Sequence, residues 1–258
     1  MLLSTPGLVL HTTPYSESSV VAKVFTRQLG LRSYIIKGVR SPRGRVKQNL
    51  LQPLSSLDMV VYDNPKTDLN YIKELSPRHP LDVLSSHSLS LTPSHSPIEN
   101  ALRFFMTEVL YKALREAEPM PALFDYVDSV FCEQCFVSSE TNHLTLNTKH
   151  LPITFLLTVA RHLGIEPMDN YCIREPYFDL QEGRFVSAPT ETTLTPTLST
   201  TLHEYLLSFH SFSLPLTPFH SPLEERTALI NALLNYFHLH LSGFSHFSSH
   251  EILHTILK

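Results

Sequence analysis

Between Gly7 and Glu74 the chain alternates apolar and polar positions in short runs rich in β-branched and aromatic residues, the period of strands half-buried on one face. Five runs stand out: Gly7 to Thr13, Ser19 to Thr26, Leu31 to Lys37, Leu57 to Tyr62 and Leu69 to Glu74. Gly30 falls between the second and third, where a tight turn wants a glycine, and Asn64-Pro65 breaks the chain between the fourth and fifth. Five short strands in so little chain suit a small closed barrel, and the OB-fold is the barrel of this size that most often holds single strands. The plainer alternative is another five-stranded barrel, or a half-sandwich, with no ligand.

In the third run Arg32, Tyr34 and Ile36 share one face, and Leu31, Ser33, Ile35 and Lys37 the other. An Arg and a Tyr side by side offer an unpaired base a charge and a stacking plane. Tyr34 reads equally well as a rim aromatic that covers the barrel. Beyond Lys37, Gly38, Pro42 and Gly44 lie among cationic positions, the composition of an exposed loop that carries charge outward.

The pattern then changes period. Residues 81–97 are rich in Ser, His and Pro and read as a join between domains, packed in part through Leu81, Val83 and Leu84. Ser96, Pro97 and Glu99 form a helix-start signal, and Ile98, Ala101, Leu102, Phe105, Val109 and Ala113 follow at helical spacing. Further helices are predicted at Pro121 to Val137, Lys149 to Leu163 with Gly164 as terminator, Leu198 to Phe209, Ser221 to Leu241 and Ser249 to Leu257. Ser221, Pro222 and Glu224 repeat the arrangement at Ser96, and Tyr177 to Val186 alternates around Glu182-Gly183 as a small hairpin would. The predicted architecture is α+β: a five-stranded OB barrel over residues 1–80, a connecting segment 81–97, and a mostly helical domain 98–258 with a hairpin near 177–186.

Charge sharpens this division. The whole chain carries a net charge of −4, but residues 1–80 hold 11 basic and 5 acidic side chains, a net of +6, against 9 and 19, a net of −10, in the remainder. No Asp or Glu occurs from Ser18 to Leu57, whereas Lys23, Arg27, Arg32, Lys37, Arg40, Arg43, Arg45 and Lys47 all do. A phosphate backbone is the commonest partner of such a one-sign surface, because each neutralised phosphate releases a condensed counterion. A merely solvated basic loop is the alternative. So is an adaptor whose barrel binds the acidic segment of a protein partner and never meets DNA.

Candidate chemistry is sparse. Three cysteines make no disulfide framework and fit a reducing compartment, so the chain reads as cytoplasmic; Met1 to Thr13 has no signal-peptide pattern, and no apolar run is long enough to span a membrane. Cys132 and Cys135 form a C-x-x-C inside a predicted helix with no second pair, which favours buried helix cysteines over a metal site. Of fifteen histidines, eight follow residue 200, including His238, His240, His246, His250 and His254; His250 and His254, with Glu251 after the first, would share a helix face as zinc ligands can, but with no third ligand indicated they read as ordinary surface histidines. Glycine-rich phosphate loops and the G-x-S-x-G elbow do not occur, and nothing points to nucleotide hydrolysis; a non-enzymatic protein is expected, with a histidine-based metal enzyme as a third alternative.

The string KGVRSPRGRVKQNLLQPLSSLDMVV, with GLVLHTTPYSESSVVAKVFTRQLGLRSYIIKG before it, resembles the N-terminal domain of the RecO family of bacterial recombination mediators. Tyr15, Glu17, Thr26 and Gly30 fall within the match, and ENALRFFMTEVLYKAL looks like the family's first long helix. The resemblance implies a non-enzymatic protein of DNA repair, recombination and the DNA damage response. Such a protein anneals single strands and, with a RecR-type partner, helps load recombinase onto DNA coated with single-strand-binding protein. It also implies binding of single-stranded and double-stranded DNA, a nucleoid-associated cytoplasmic location, and a helical domain that receives the C-terminal tail of single-strand-binding protein. Some family members carry a four-cysteine zinc site after the helix ending near Gly164; here only Cys172 stands in that region, with Glu175 three residues on, so neither a structural zinc nor another cofactor is expected. The DNA-binding residues expected on this reading are Arg27, Arg32, Lys37, Arg40, Arg43, Arg45 and Lys47 on phosphates, with Tyr34 as stacking platform.

Overall fold

In the second and fourth strand-like runs, every other side chain is apolar and turns inward, which is what closes the sheet on itself. The computed structural model describes residues 2–39, 48–64, 66–78, 97–114, 118–130, 149–210, 221–244, 247 and 249. Strands β1 (Leu2–Pro14), β2 (Val20–Thr26), β3 (Gly30–Ile36), β4 (Ser56–Tyr62) and β5 (Leu69–Pro77) form a closed barrel in the order β1-β2-β3-β5-β4. All neighbours are antiparallel except β3 and β5, which run parallel over Ser33–Leu69, Tyr34–Asn70 and Ile35–Tyr71. The barrel core takes Val20, Ala22 and Val24 from β2, Tyr34 and Ile36 from β3, and Leu57, Met59 and Val61 from β4, with Val9, Val39 and Leu51. Each such large apolar side chain contributes about 1.5–3 kcal/mol by leaving water.

The expected strands are all present, and β1 begins earlier than expected, at Leu2. Its first half pairs with β4 (Leu2–Tyr62 to Leu8–Ser56) and its second half with β2 (Gly7–Thr26 to Pro14–Val20), so one strand serves two neighbours and shuts the barrel. Thr5-Pro6-Gly7 reads locally as a turn, yet the strand runs through it. At Gly7, where the strand passes from one neighbour to the other, a Cβ would lie 2.4 Å from Met59 Cε and 2.6 Å from Val24 Cγ1, so only glycine fits the close approach. Gly30 takes φ 66° after β2, and the turn is held by the Thr26 hydroxyl, which donates to the Gly30 carbonyl (2.8 Å) and accepts from the Leu29 amide (3.1 Å).

Two compact units divide the chain, Met1–Ser139 and Glu140–Lys258. The first takes in helices α1 (Pro97–Ala113) and α2 (Pro121–Val130) with the barrel. This cut follows compactness, whereas the one at residues 80 and 98 follows the change from strand to helix. Outward-facing residues of β1 and β2 explain why α1 and α2 belong there. Phe25 packs on Phe124 with ring centres 5.7 Å apart, His11 on Tyr111 at 5.2 Å, and the Lys23 ammonium sits over the Tyr111 ring at 5.1 Å. Ser56 donates to Asp128 (2.5 Å), and Arg78 bridges Asp128 and Asp58, both at 3.2 Å.

In the second unit α3 (Leu151–His162) is apolar on every side and buried over Leu151–Ile153 and Phe155–Ala160, so it forms the centre. Gly164, at φ 74°, ends it as expected. The hairpin β6 (Tyr177–Asp179) and β7 (Arg184–Val186) turns at Gly183, and α4 (Pro196–His210) and α5 (Leu223–His240) complete the unit. The helix start expected at Ser221 needs correction: Pro222 occupies the N-cap position with no side-chain cap, and the Ser221 carbonyl instead accepts from Arg226. Ser96, residues 131–137 and the helix expected from Ser249 to Leu257 lie wholly or largely outside the described residues.

Candidate nucleic-acid interface

β3 and the turns that flank it hold four of the eight residues expected to meet DNA, and the structure gives each a different environment. Arg27, in the turn after β2, makes a two-pronged ion pair with Asp125 of α2: Nε to Oδ1 at 2.7 Å and Nη2 to Oδ2 at 2.9 Å. The hydrogen bond from Arg27 holds the Asp125 carboxyl below its usual range against a smaller opposing effect of burial. Any phosphate at Arg27 would therefore compete with a carboxylate already in place.

Tyr34 is not a stacking platform. Its side chain is fully buried in the barrel core between β2 and β5 neighbours, and its hydroxyl has no hydrogen-bond partner among the described residues. Burial first, and the charge of Asp63 second, push its pKa well up, while Arg32 pulls the other way. The face shared by Arg32, Tyr34 and Ile36 is thus the inner one. Arg32, at its end, is half-buried and places Nε out of solvent without a partner among the described residues, its aliphatic stem following the core as long cationic side chains do.

Lys37 is exposed just after β3, with its ammonium 5.3 Å from the centre of the Tyr71 ring. Gly38, at φ 77°, turns the chain there, and Val39 re-enters the core. Arg40, Arg43, Arg45 and Lys47 lie outside the described residues. The segment that carries them is bounded by core residues, Val39 before it and, after it, Leu51 at the end of the short 3-10 turn Gln48–Leu51.

Beside Lys37 lies a groove of about 520 Å³ lined by Ile35, Ile36 and Lys37 of β3 and its end, Tyr62 of β4, and Tyr71, Ile72, Lys73 and Leu75 of β5. Tyr62 and Tyr71 are opposite partners in the β4–β5 ladder, about half exposed at 50 % and 47 %. Neither was among the expected site residues. The signal was present: in Leu57-Asp58-Met59-Val60-Val61-Tyr62 the inward phase falls on Leu57, Met59 and Val61, which turns Tyr62 outward.

Among the described residues no group of three or more His, Cys, Asp and Glu side chains could hold a metal ion. Cys172 is exposed, and Cys132, Cys135, His246, His250 and His254 lie outside the described residues. His238 and His240 are engaged with backbone carbonyls, of Phe244 at 2.6 Å and Leu180 at 2.9 Å. Among the described residues no helix is long and apolar enough to cross a membrane.

A closed five-stranded barrel with this strand order is an OB-fold, here followed by helices and one hairpin. Residues 1–81, the stretch that holds the barrel, match the family model for "Recombination protein O N terminal". Along almost its whole length the chain is similar to proteins named DNA repair protein RecO. It is 28 % identical to that of Phocaeicola vulgatus over 264 residues, 98 % of each chain. It is 29 % identical to that of Flavobacterium johnsoniae over 261 residues, 100 % of each, and 25 % identical to that of Azobacteroides pseudotrichonymphae over 257 residues, 99 % of each. The RecO resemblance carried by the opening strings and the first long helix is borne out.

Proposed function

We propose that this chain acts in DNA repair and recombination by binding DNA through the barrel of residues 1–80. The observation that carries the reading is the acid-free stretch from Ser18 to Leu57, which takes in β2, β3 and Lys37 of an OB barrel and, in the sequence, the cationic positions of 40–47. Its similarity to proteins named DNA repair protein RecO supports the same reading. Lys37, Arg40, Arg43, Arg45 and Lys47 engage phosphates, which orients nucleic acid without reading its sequence. Arg32 lends positive potential from the barrel interior, and Arg27 contributes only as far as Asp125 releases it.

Such a surface performs no bond chemistry. It collects and neutralises strands, which favours annealing of complementary single strands and helps a recombinase take over DNA coated with single-strand-binding protein. A RecR-type partner and the C-terminal tail of single-strand-binding protein are the protein contacts this role requires, the tail on the helical region 98–258. Double-stranded DNA meets the same phosphate contacts. The role places the chain in the bacterial cytoplasm, at the nucleoid.

A fluorescent single-stranded oligonucleotide titrated across a salt series tests the reading. If five phosphates are engaged, log affinity falls against log salt with a slope of about −3.5, and the Arg40→Ala, Arg43→Ala, Arg45→Ala triple variant flattens it to about −1.4. A wild-type slope near zero would sink the proposal. So would a folded triple variant that binds as the wild type does.

A further inference from the structure

Two of the barrel's outward-facing aromatic side chains, Tyr62 and Tyr71, stay about half exposed among the described residues. On the β1–β2 side Phe25 packs on Phe124, while His11 and Lys23 meet Tyr111. On the β3–β5–β4 side Tyr62 and Tyr71 remain about half exposed. Ladder pairing sets them in one cross-strand row: Ile35 of β3 is opposite Tyr71 of β5, Tyr71 is opposite Tyr62 of β4, and Tyr62 is opposite Leu2 of β1. Side chains directly opposite on neighbouring strands leave the sheet on the same face. Two phenol rings thus stand side by side on the outer face, at a groove whose lining also includes Ile36, Ile72 and Leu75.

Two lysines stand at this row, with Asp63 next to Tyr62 in the chain. Lys37 lies over the Tyr71 ring, and Lys73 is on the groove wall. Glu74 pairs with Lys73 at 3.3 Å, but both side chains are well exposed, and such a pair is exchanged for a phosphate at little cost. From Lys37 the chain passes directly into the segment bearing Arg40, Arg43, Arg45 and Lys47. Paired aromatic planes flanked by cations are what a strand of unpaired bases requires: stacking is tolerant of sequence because every base has a π-face, and the lysines meet the phosphates between.

We infer that the groove between β3, β5 and β4 is a base-stacking subsite for single-stranded nucleic acid, with Tyr62 and Tyr71 as the platforms and Lys37 and Lys73 on the flanking phosphates. The inference rests on the proposed DNA-binding role and deepens it. It moves the stacking function from Tyr34, inside the barrel, to the tyrosines outside. It also makes single strands the preferred ligand, since bases paired within a duplex cannot lie on these rings.

The chain contains no tryptophan, so Tyr71→Trp in the full-length protein installs a sole indole reporter at the groove. Oligothymidylate is expected to quench it, and an abasic phosphate oligomer of equal length is expected to leave it unchanged. Tyr62→Ala and Tyr71→Ala are each expected to weaken oligothymidylate binding about ten-fold with the salt slope preserved, while Tyr62→Phe and Tyr71→Phe bind as wild type. An unmoved indole, or alanine variants with wild-type affinity and wild-type discrimination against the abasic oligomer, would overturn the subsite and leave the phosphate contacts standing. An indole quenched by an acidic peptide but not by oligothymidylate would overturn it in favour of a protein partner. If wild type fails to bind oligothymidylate even at low salt, the DNA-binding role falls first and the subsite with it. The Phe variants and Tyr71→Trp must keep the wild-type thermal midpoint, which separates loss of stacking from loss of fold.

Discussion

The barrel and the C-terminal unit use polar and aromatic side chains in opposite ways. In the C-terminal unit the groups that most resemble catalytic machinery are tied to one another. Asp179 is buried and accepts from the Thr190 and Thr192 hydroxyls and the amides of Gln181 and Glu182, at 2.6–3.0 Å. His203 meets Asp169 at 2.6 Å and stacks on Tyr171, and buried His150 meets Tyr205. These contacts close loops and dock helices. On the barrel Lys37, Tyr62, Tyr71 and Lys73 are exposed instead. A group spent on holding the fold cannot serve a ligand, whereas these side chains are available to one.

The largest expected effect sharpens the boundary between the two uses. Tyr34→Ala should cost about 3–5 kcal/mol, because it empties the barrel core. Tyr34→Phe should preserve stability to within about 1 kcal/mol, since the lost hydroxyl has no partner among the described residues. Urea unfolding measures both, and single-strand affinity should follow only the folded fraction. A Tyr34→Phe protein that is stable yet binds weakly would return this residue to the binding surface.

Next comes Asp179→Asn, expected to cost about 2–3 kcal/mol of stability in the C-terminal unit, as several hydrogen bonds lose their charged acceptor. Burial alone would raise the Asp179 pKa, but the hydrogen bonds from Thr190, the amides of Glu182 and Gln181, and Thr192 together hold it below the usual carboxylate range. A depressed carboxyl stabilises the fold fully above its unfolded value of about 3.9 and loses that contribution as pH falls through its folded value. The gap between wild type and variant should therefore be constant from neutral pH to about 5 and close only below about 4. A constant gap down to pH 2 would break the assignment.

His150 should give a smaller effect of the same sign at higher pH. Burial first, then the charges of Arg226 and Lys149, lower its pKa. Its contribution is present above the unfolded value of about 6.5 and declines as pH falls below it. Thermal midpoints of wild type and His150→Gln between pH 7.5 and 5 should converge. Smallest of all, Asp125→Asn should release Arg27 toward phosphate and steepen the single-strand salt slope by no more than about 0.7. An unchanged slope would confine Arg27 to its structural pair.

Much of the barrel is legible in the chain because strand period and turn residues are local. The five runs, the turn at Gly30 and the hairpin at Gly183 are all where alternation and glycine place them. What alternation leaves open is which face turns inward. Arg32 made its face look like the outer one, yet Tyr34 and Ile36 are in the core and Arg32 reaches the barrel end on an aliphatic stem. The same ambiguity hid Tyr71, whose strand, Leu69 to Pro77, mixes exposed and half-buried positions with little period. Packing of α1 and α2 on the barrel was hidden for another reason. It depends on Phe25 and His11 pointing outward to Phe124 and Tyr111, pairings between residues nearly a hundred positions apart. Strand and helix identity is written locally; the partner of an exposed face is not.

The double duty of β1 has a consequence for how the molecule is made. Of the five strands β1 is made first, and the half that pairs with β2 has its partner next in the chain. Leu2 to Leu8, however, pair with Ser56 to Tyr62, so this edge stays open until β4 has been made, a non-local closure that folds late. An open edge is where nascent chains join one another. Pro6 sits in the middle of the waiting segment and, lacking an amide hydrogen, interrupts the row of donors that a neighbouring chain would need.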